Sequence, residues 1–170
     1  MVKILQNWGD EFKIEFSITV TKTPSSTSGA ASIFHFTGTG ENCCNEGDRI
    51  PAMWINRDGY FHIASSVNGN GNYYKNFDFE LNNVYQITIQ QLKDSSGLYW
   101  YEIIIDGVSK EKTENKQVKI YPSVKLYTSD PWDDSFTSDL GLISNLKVQQ
   151  IEGLLYINLY VVFSILKFYE

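Results

Sequence analysis

The densest set of chemically capable side chains is Asp130-Pro131-Trp132-Asp133-Asp134-Ser135, where three carboxylates fall within five positions and Asp139 follows. Carboxylates and backbone carbonyls are the hard oxygen donors that Ca²⁺ collects, about six to eight at a time. The segment is therefore the expected metal site, with Asp130, Asp133, Asp134 and Asp139 as ligands and calcium as the cofactor. The competing reading is a solvated acidic turn that Asp130 caps, with Trp132 packed on a sheet edge. Trp132 also offers a flat apolar face on which a sugar ring stacks while nearby carboxylates accept its hydroxyl protons.

A second expected ligand surface is Val67-Asn68-Gly69-Asn70-Gly71-Asn72. Asn68, Asn70 and Asn72 each carry a donor and an acceptor, which matches the vicinal hydroxyls of a glycan, and Tyr73 and Tyr74 would supply stacking. Asn and Gly serve equally well in turns because they tolerate φ > 0, so the same segment reads as a loop bridging two sheets.

Catalytic sets are sparser. A retaining glycosidase needs two carboxyl groups roughly 5 Å apart. The nearest pairs are Glu11 with Glu15 and Asp78 with Glu80. Cys44 with His35 or His62 lacks any local mark of a base or an oxyanion hole. The expectation is a non-catalytic protein. Each histidine sits in an apolar strand pattern and reads as a structural imidazole, and a tetrahedral zinc site lacks donors at a workable spacing. The only two cysteines, Cys43 and Cys44, are neighbours; they are free thiols, a vicinal disulfide presenting a small apolar platform, or partners of another chain. Asp48 and Arg49 read as a buried or half-buried pair orienting the turn before Pro51.

Strands must position these groups. Phe12, Ile14, Phe16, Ile18 and Val20 alternate with Lys13, Glu15, Ser17 and Thr19, the period of a half-buried strand. The pattern returns over residues 30–37, 52–56, 60–66, 84–92, 98–106, 118–128 and 142–149, separated by turn signals such as Asp58-Gly59 and Asp106-Gly107. The mixed charges of residues 110–116 read as a solvated edge. No amphipathic stretch at period 3.6 appears, so the fold class is all-β: an antiparallel two-sheet sandwich over residues 1–150.

The chain has 170 residues, 42 % of them apolar, enough for one core without staples. Its formal charge of −6, with no Lys/Arg cluster, argues against a nucleic-acid partner. Residues 151–170 form an apolar extension in which residues 154–166 fall short of the roughly 20 needed to cross a bilayer as a helix. It reads as an appendage outside the sandwich, with a final strand carrying Leu155, Ile157, Leu159, Val161 and Phe163 on one face, or a truncated membrane anchor, as alternatives. Residues 1–6 are too short for the apolar region of a secretory leader, and no Asn-x-Ser/Thr acceptor occurs.

Trp8 to Phe16, Ile33-Phe34-His35-Phe36-Thr37, Gly47-Asp48-Arg49-Ile50-Pro51-Ala52-Met53-Trp54, Tyr60-Phe61-His62-Ile63, Trp100 to Gly107 and Gly141-Leu142-Ile143-Ser144-Asn145-Leu146 together resemble the concanavalin A-like, laminin-G-like group of sandwich domains, in particular single modules of extracellular invertebrate proteins. The resemblance covers roughly residues 7 to 150. It implies a jelly roll outside or on the surface of the cell, with lectin-like recognition or adhesion as its role and a glycan or matrix protein as its partner; such relatives often bind calcium at a loop edge. It also reaches laminarinase-type glycoside hydrolases, whose Glu-x-Asp-x-x-Glu string is absent from this chain. The expectation is therefore a non-catalytic recognition module, with an atypical hydrolase of that type or a purely structural protein-binding module as alternatives.

Overall fold

Alternating side chains commit a segment to a pleated strand with one face toward a core, and the computed structural model, which describes residues 2–25, 29–151, 155–160 and 167–169, is built of such strands throughout. In chain order they are β1 (Val2–Trp8), β2 (Phe12–Val20), β3 (Ala30–Thr37), β4 (Ala52–Asn56), β5 (Tyr60–Val67), β6 (Asn70–Asp78), β7 (Val84–Lys93), β8 (Tyr99–Ile105), β9 (Val108–Glu114), β10 (Tyr121–Tyr127), β11 (Asp134–Ser135), β12 (Gly141–Gln150), β13 (Leu155–Tyr160) and β14 (Lys167–Tyr169). No helix occurs among the described residues.

The strands form two sheets. One runs β1-β10-β3-β4-β5-β6, with the short β11 alongside β3; the other runs β14-β13-β12-β2-β7-β8-β9. All pairings are antiparallel except that of β11 with β3. Between the sheets lies one continuous core, to which β2 sends Phe12, Ile14, Phe16, Ile18 and Val20, as their alternation requires. The first sheet answers with Phe34, Phe36, Met53, Ile55, Phe61 and Ile63. Aromatic rings interlock there: Phe16 meets Phe34 edge-on at 5.6 Å, and Trp8 lies 4.9 Å from Phe36.

A bulge in β3 decides which side chains reach the outside. Pairing with β4 slips between Ser32 and Phe34, so Ile33 and Phe34 both join the core while His35 comes into register with Ala52 on the opposite face. Strict alternation would have sent Phe34 and His35 to the other sides.

Three segments add to their sequence reading or depart from it. Residues 2–8 form an edge strand along β10. Asn68-Gly69 is a tight turn with φ of 55° and 75°, so β5 and β6 are a hairpin within one sheet and not neighbours across a bridge between sheets. The backbone of β13 extends the second sheet from β12, opposite residues Leu146 to Gln150, in line with the final-strand alternative for this segment. The apolar face expected of Leu155, Ile157, Leu159, Val161 and Phe163 lies outside the described residues.

Candidate functional site

The outer face of the first sheet carries an aromatic and polar row that the strand register assembles. Trp54 on β4 pairs with His62 on β5, which pairs with Asn76 on β6; one row over, His35, Ala52, Ala64 and Tyr74 align in the same way. Ring centroids follow one another from Tyr127 to Trp132 (5.5 Å), His35 (5.3 Å), Trp54 (5.5 Å), His62 (5.6 Å) and Tyr74 (4.9 Å).

Trp54 is the pivot, only 3 % exposed although it lies on the outer face. The Arg49 guanidinium covers it at 4.6 Å from the ring centroid, and its Nε1 donates to Asp133 Oδ2 at 2.9 Å. Arg49 Nε donates to the Asn42 carbonyl at 3.1 Å and Nη1 to Asn72 Oδ1 at 2.6 Å. Among the described residues no carboxylate forms an ion pair with it. Burial draws the Arg49 pKa down, opposed by the charges of Asp133, Asp130 and Asp48. The guanidinium remains cationic at any ordinary pH.

Beside this stack opens a cleft of about 210 Å³, lined by Ala30, Arg49, Trp54, Asn56, Tyr60, His62 and Asp133. It is smaller than sites that enclose drug-sized ligands, about 300–1,000 Å³, and suits one ring of a longer chain. Tyr60 and His62 stand two residues apart on one face of β5, so their bases are separated by about 7 Å. His62 Nδ1 donates to Asn76 Oδ1 at 2.7 Å, which leaves Nε2 with its lone pair. Burial holds the His62 pKa below its usual value, with the Arg49 charge adding to that and the Asn76 hydrogen bond opposing it, so the ring is a neutral base at neutral pH.

The carboxylates of the acidic segment are engaged separately. Asp130 is buried, with Oδ2 accepting from His35 Nδ1 at 3.2 Å and Oδ1 capping the amides of Asp133 (2.9 Å) and Trp132 (3.2 Å). Burial alone would raise its pKa, yet the hydrogen bonds from His35, the Asp133 amide and Ser32 hold it below the usual carboxylate range. Asp133 turns to Trp54, and burial together with the nearby Asp130 charge raises its pKa. Asp134 belongs to β11 beside Ala31, and Asp139 accepts from Thr137. Among the described residues no group of three or more His, Cys, Asp or Glu is placed to hold a metal ion, and these four carboxylates are not brought together.

The second expected surface divides. Asn72 and Tyr74 stand at the cleft's margin, the first holding Arg49 and the second, 50 % exposed, stacked on His62. Tyr73 points to the opposite face, where its hydroxyl donates to Glu111 and its ring meets Tyr101 edge-on. Asn68 is spent on the fold: its amide, Nδ2 and Oδ1 bond Asn115, Glu114 and Lys116. Asn70 accepts from the Asn72 amide within the turn. Trp132 packs between His35 and Tyr127 at the far end of the row.

Three further readings are corrected or resolved. Asp48 does not pair with Arg49; its carboxylate accepts from Thr39 at 2.6 Å and the Asn45 amide at 2.7 Å. His35 is the structural imidazole expected, with Nε2 donating to the Asp48 carbonyl at 2.7 Å, whereas His62 lines the cleft. Cys43 and Cys44 are joined as a vicinal disulfide. Arg49, Trp54, Tyr60 and Asn76 were not anticipated as site residues; the period-2 pattern marks Trp54 and Met53 alike as apolar strand residues, and only the register separates them.

No protein-family model matches the sequence, and no curated protein matches it. Solved structures do. The marine PL7 alginate lyase of Zobellia galactanivorans matches at 17 % identity and a TM-score of 0.54, over 85 % of this chain and 65 % of that one. An alginate lyase from Corynebacterium sp. matches at 13 % identity and 0.50, over 86 % and 61 %. A heptameric SAP-like pentraxin from Limulus polyphemus matches at 16 % identity and 0.49, over 86 % and 68 %. The chain spans a little under two thirds of the length of the two lyases. At these identities the likeness is one of fold, the concanavalin A-like jelly roll. It overturns the non-catalytic expectation: lyases share this sandwich, and the missing Glu-x-Asp-x-x-Glu string argues against one hydrolytic chemistry only. The carboxylates of that chemistry are dispersed here as well, Glu15 pairing Lys13 and Glu11 accepting from the Lys93 amide, both on the second sheet's side.

Proposed function

We propose that this chain is a carbohydrate-active enzyme that seats an acidic sugar ring in the Trp54 cleft and cleaves uronate chains by β-elimination. The observation that carries the reading is a guanidinium without an ion-pair partner among the described residues, stacked on Trp54 and sharing its cleft with a neutral histidine whose Nε2 carries a lone pair. Arg49 receives the sugar carboxylate and stabilises the negative charge that develops when the neighbouring C5 proton leaves. His62 Nε2 takes that proton; the C4–O bond breaks as the C4=C5 double bond forms, and the Tyr60 hydroxyl protonates the departing oxygen. Tyr74 and Trp132 offer aromatic faces to adjoining rings.

The partner on this reading is a glycan, and the setting is outside the cell, where the resemblance to laminin-G-like modules points and where a disulfide such as Cys43–Cys44 persists. The test is incubation with polyguluronate, polymannuronate, glucuronan and a neutral β-glucan, following the ultraviolet absorbance of the conjugated double bond. Absorbance is expected with at least one uronate polymer and not with the neutral glucan. Absence of product from all three uronate polymers would overturn the elimination.

A further inference from the structure

A disulfide between consecutive residues closes no long loop, so the entropic stabilisation that cross-links give by restraining the unfolded chain is nearly absent for Cys43–Cys44. Its effect is local: it sets the course of the backbone over residues 42–45. That backbone holds the site. The Asn42 carbonyl accepts from Arg49 Nε at 3.1 Å, the Asn45 amide donates to Asp48 Oδ2 at 2.7 Å, and the Asp48 carbonyl accepts from the buried His35. Elsewhere the loop is tied down independently of the sulfurs. Gly38 N donates to the Gly47 carbonyl and Gly47 N to Ser66 Oγ, both at 2.9 Å. Cys44 is exposed and Cys43 half-buried, so a thiolate from solvent reaches a sulfur.

We propose that Cys43–Cys44 is a thiol-exchange site whose state sets the position of Arg49 over Trp54. A dithiol attacks one sulfur, forms a mixed disulfide, and closes on itself; it is oxidised to a disulfide while Cys43 and Cys44 take two electrons and two protons and become thiols. Residues 42–45 then lose their covalent restraint, the Asn42 carbonyl withdraws from Arg49 Nε, and the guanidinium is released from the Trp54 face. The effect on saccharide turnover rests on the function proposed above; the movement of Arg49 does not.

The experiment is dithiothreitol treatment of the folded full chain, with thiols counted by a chromogenic disulfide and tryptophan emission recorded before and after. Two thiols per chain are expected, with the far-ultraviolet circular dichroism unchanged and an emission shift that Trp54→Phe removes. The Cys43→Ser/Cys44→Ser double variant should show the shifted emission from the outset and no response to dithiothreitol. Sulfurs that resist reduction while the chain stays folded, or reduction without any shift in wild-type emission, would overturn the proposal without recourse to a variant. Loss of one hydrogen bond to a charged group predicts an elimination rate about tenfold lower after reduction. An emission response in a protein that cleaves no uronate polymer would remove the elimination and leave the exchange site standing; equal rates before and after a confirmed reduction would remove the coupling to the cleft.

Discussion

Arg49 and Trp54 form a stacked pair, the guanidinium 4.6 Å from the indole centroid, while Asp133 takes the Nε1 proton of the same ring at 2.9 Å. One indole thus separates a cation above its face from a carboxylate at its edge. The cation stays available to an anionic ligand because two neutral acceptors, the Asn42 carbonyl and Asn72 Oδ1, hold it in place of a carboxylate.

Replacing Arg49 therefore separates function from stability. Arg49→Ala should cost about 1 kcal/mol of stability through the lost cation–π contact. Elimination should fall by at least tenfold, measured as product absorbance under saturating polymer. Arg49→Lys should recover little, because a single ammonium cannot bond Asn42, Asn72 and a sugar carboxylate from one planar fork.

The buried His35–Asp130 pair supports the turn that carries Trp132 and Asp133. Removing either partner leaves a buried polar group uncompensated. His35→Ala and Asp130→Ala should each destabilise by about 3–5 kcal/mol in denaturant titrations, and the double variant should cost well under their sum. Because the Asp130 to Asp139 carboxylates are engaged separately, melting temperatures with calcium and with chelator should coincide.

Acid should act through His62. Its folded pKa lies below its ordinary value of 6.5, so between those two values the unfolded state binds more protons and stability falls as pH falls. The folded base is lost only as pH falls through that lowered pKa, so the elimination rate should persist below pH 6.5 and drop at lower pH. Asn76→Asp places a carboxylate against His62 Nδ1 and should move the rate profile upward in pH.

Alkali should act through Tyr121, whose half-buried hydroxyl is pushed up to about 12 by burial and the nearby charges of Glu46 and Asp48. Unfolded tyrosine ionises near its ordinary value of 10, so the native state retains the proton longer and its advantage is lost as pH rises from 10 toward 12. Tyr121→Phe should flatten the dependence of chemical-denaturation midpoints over that range.

Gly71 on β6 lies against the backbone of Asn45 and Glu46, and an added Cβ would collide with it. Gly71→Ala should displace the loop of residues 38–47 at a cost of about 1–3 kcal/mol. Hydrogen exchange should rise at the Asn45 amide, which Asp48 otherwise protects.

The strands were legible because a pleated backbone writes its burial into every second residue, as β2 shows from Phe12 to Val20. The edge strand β1 was less so: Asn7 and Gln6 break its apolar run, and its partner β10 lies more than a hundred residues away. The Asn68-Gly69 turn carried a readable hairpin signal, and there the donor and acceptor atoms taken for glycan contacts serve the chain's own backbone.

An all-β sandwich is already written in the chain, because alternation and turn chemistry are local properties. The site emerges only once the strands pair. Arg49, Trp54, Tyr60, His62 and Asp133 meet through cross-strand register, and the slip between Ser32 and Phe34 turns His35 outward to hold Asp130. Register depends on which strands pair and where, which no local pattern contains. The same physics dispersed the acidic segment: Asp130, Asp133 and Asp139 each found a separate donor, and a run of Asp in sequence became separate structural contacts in space.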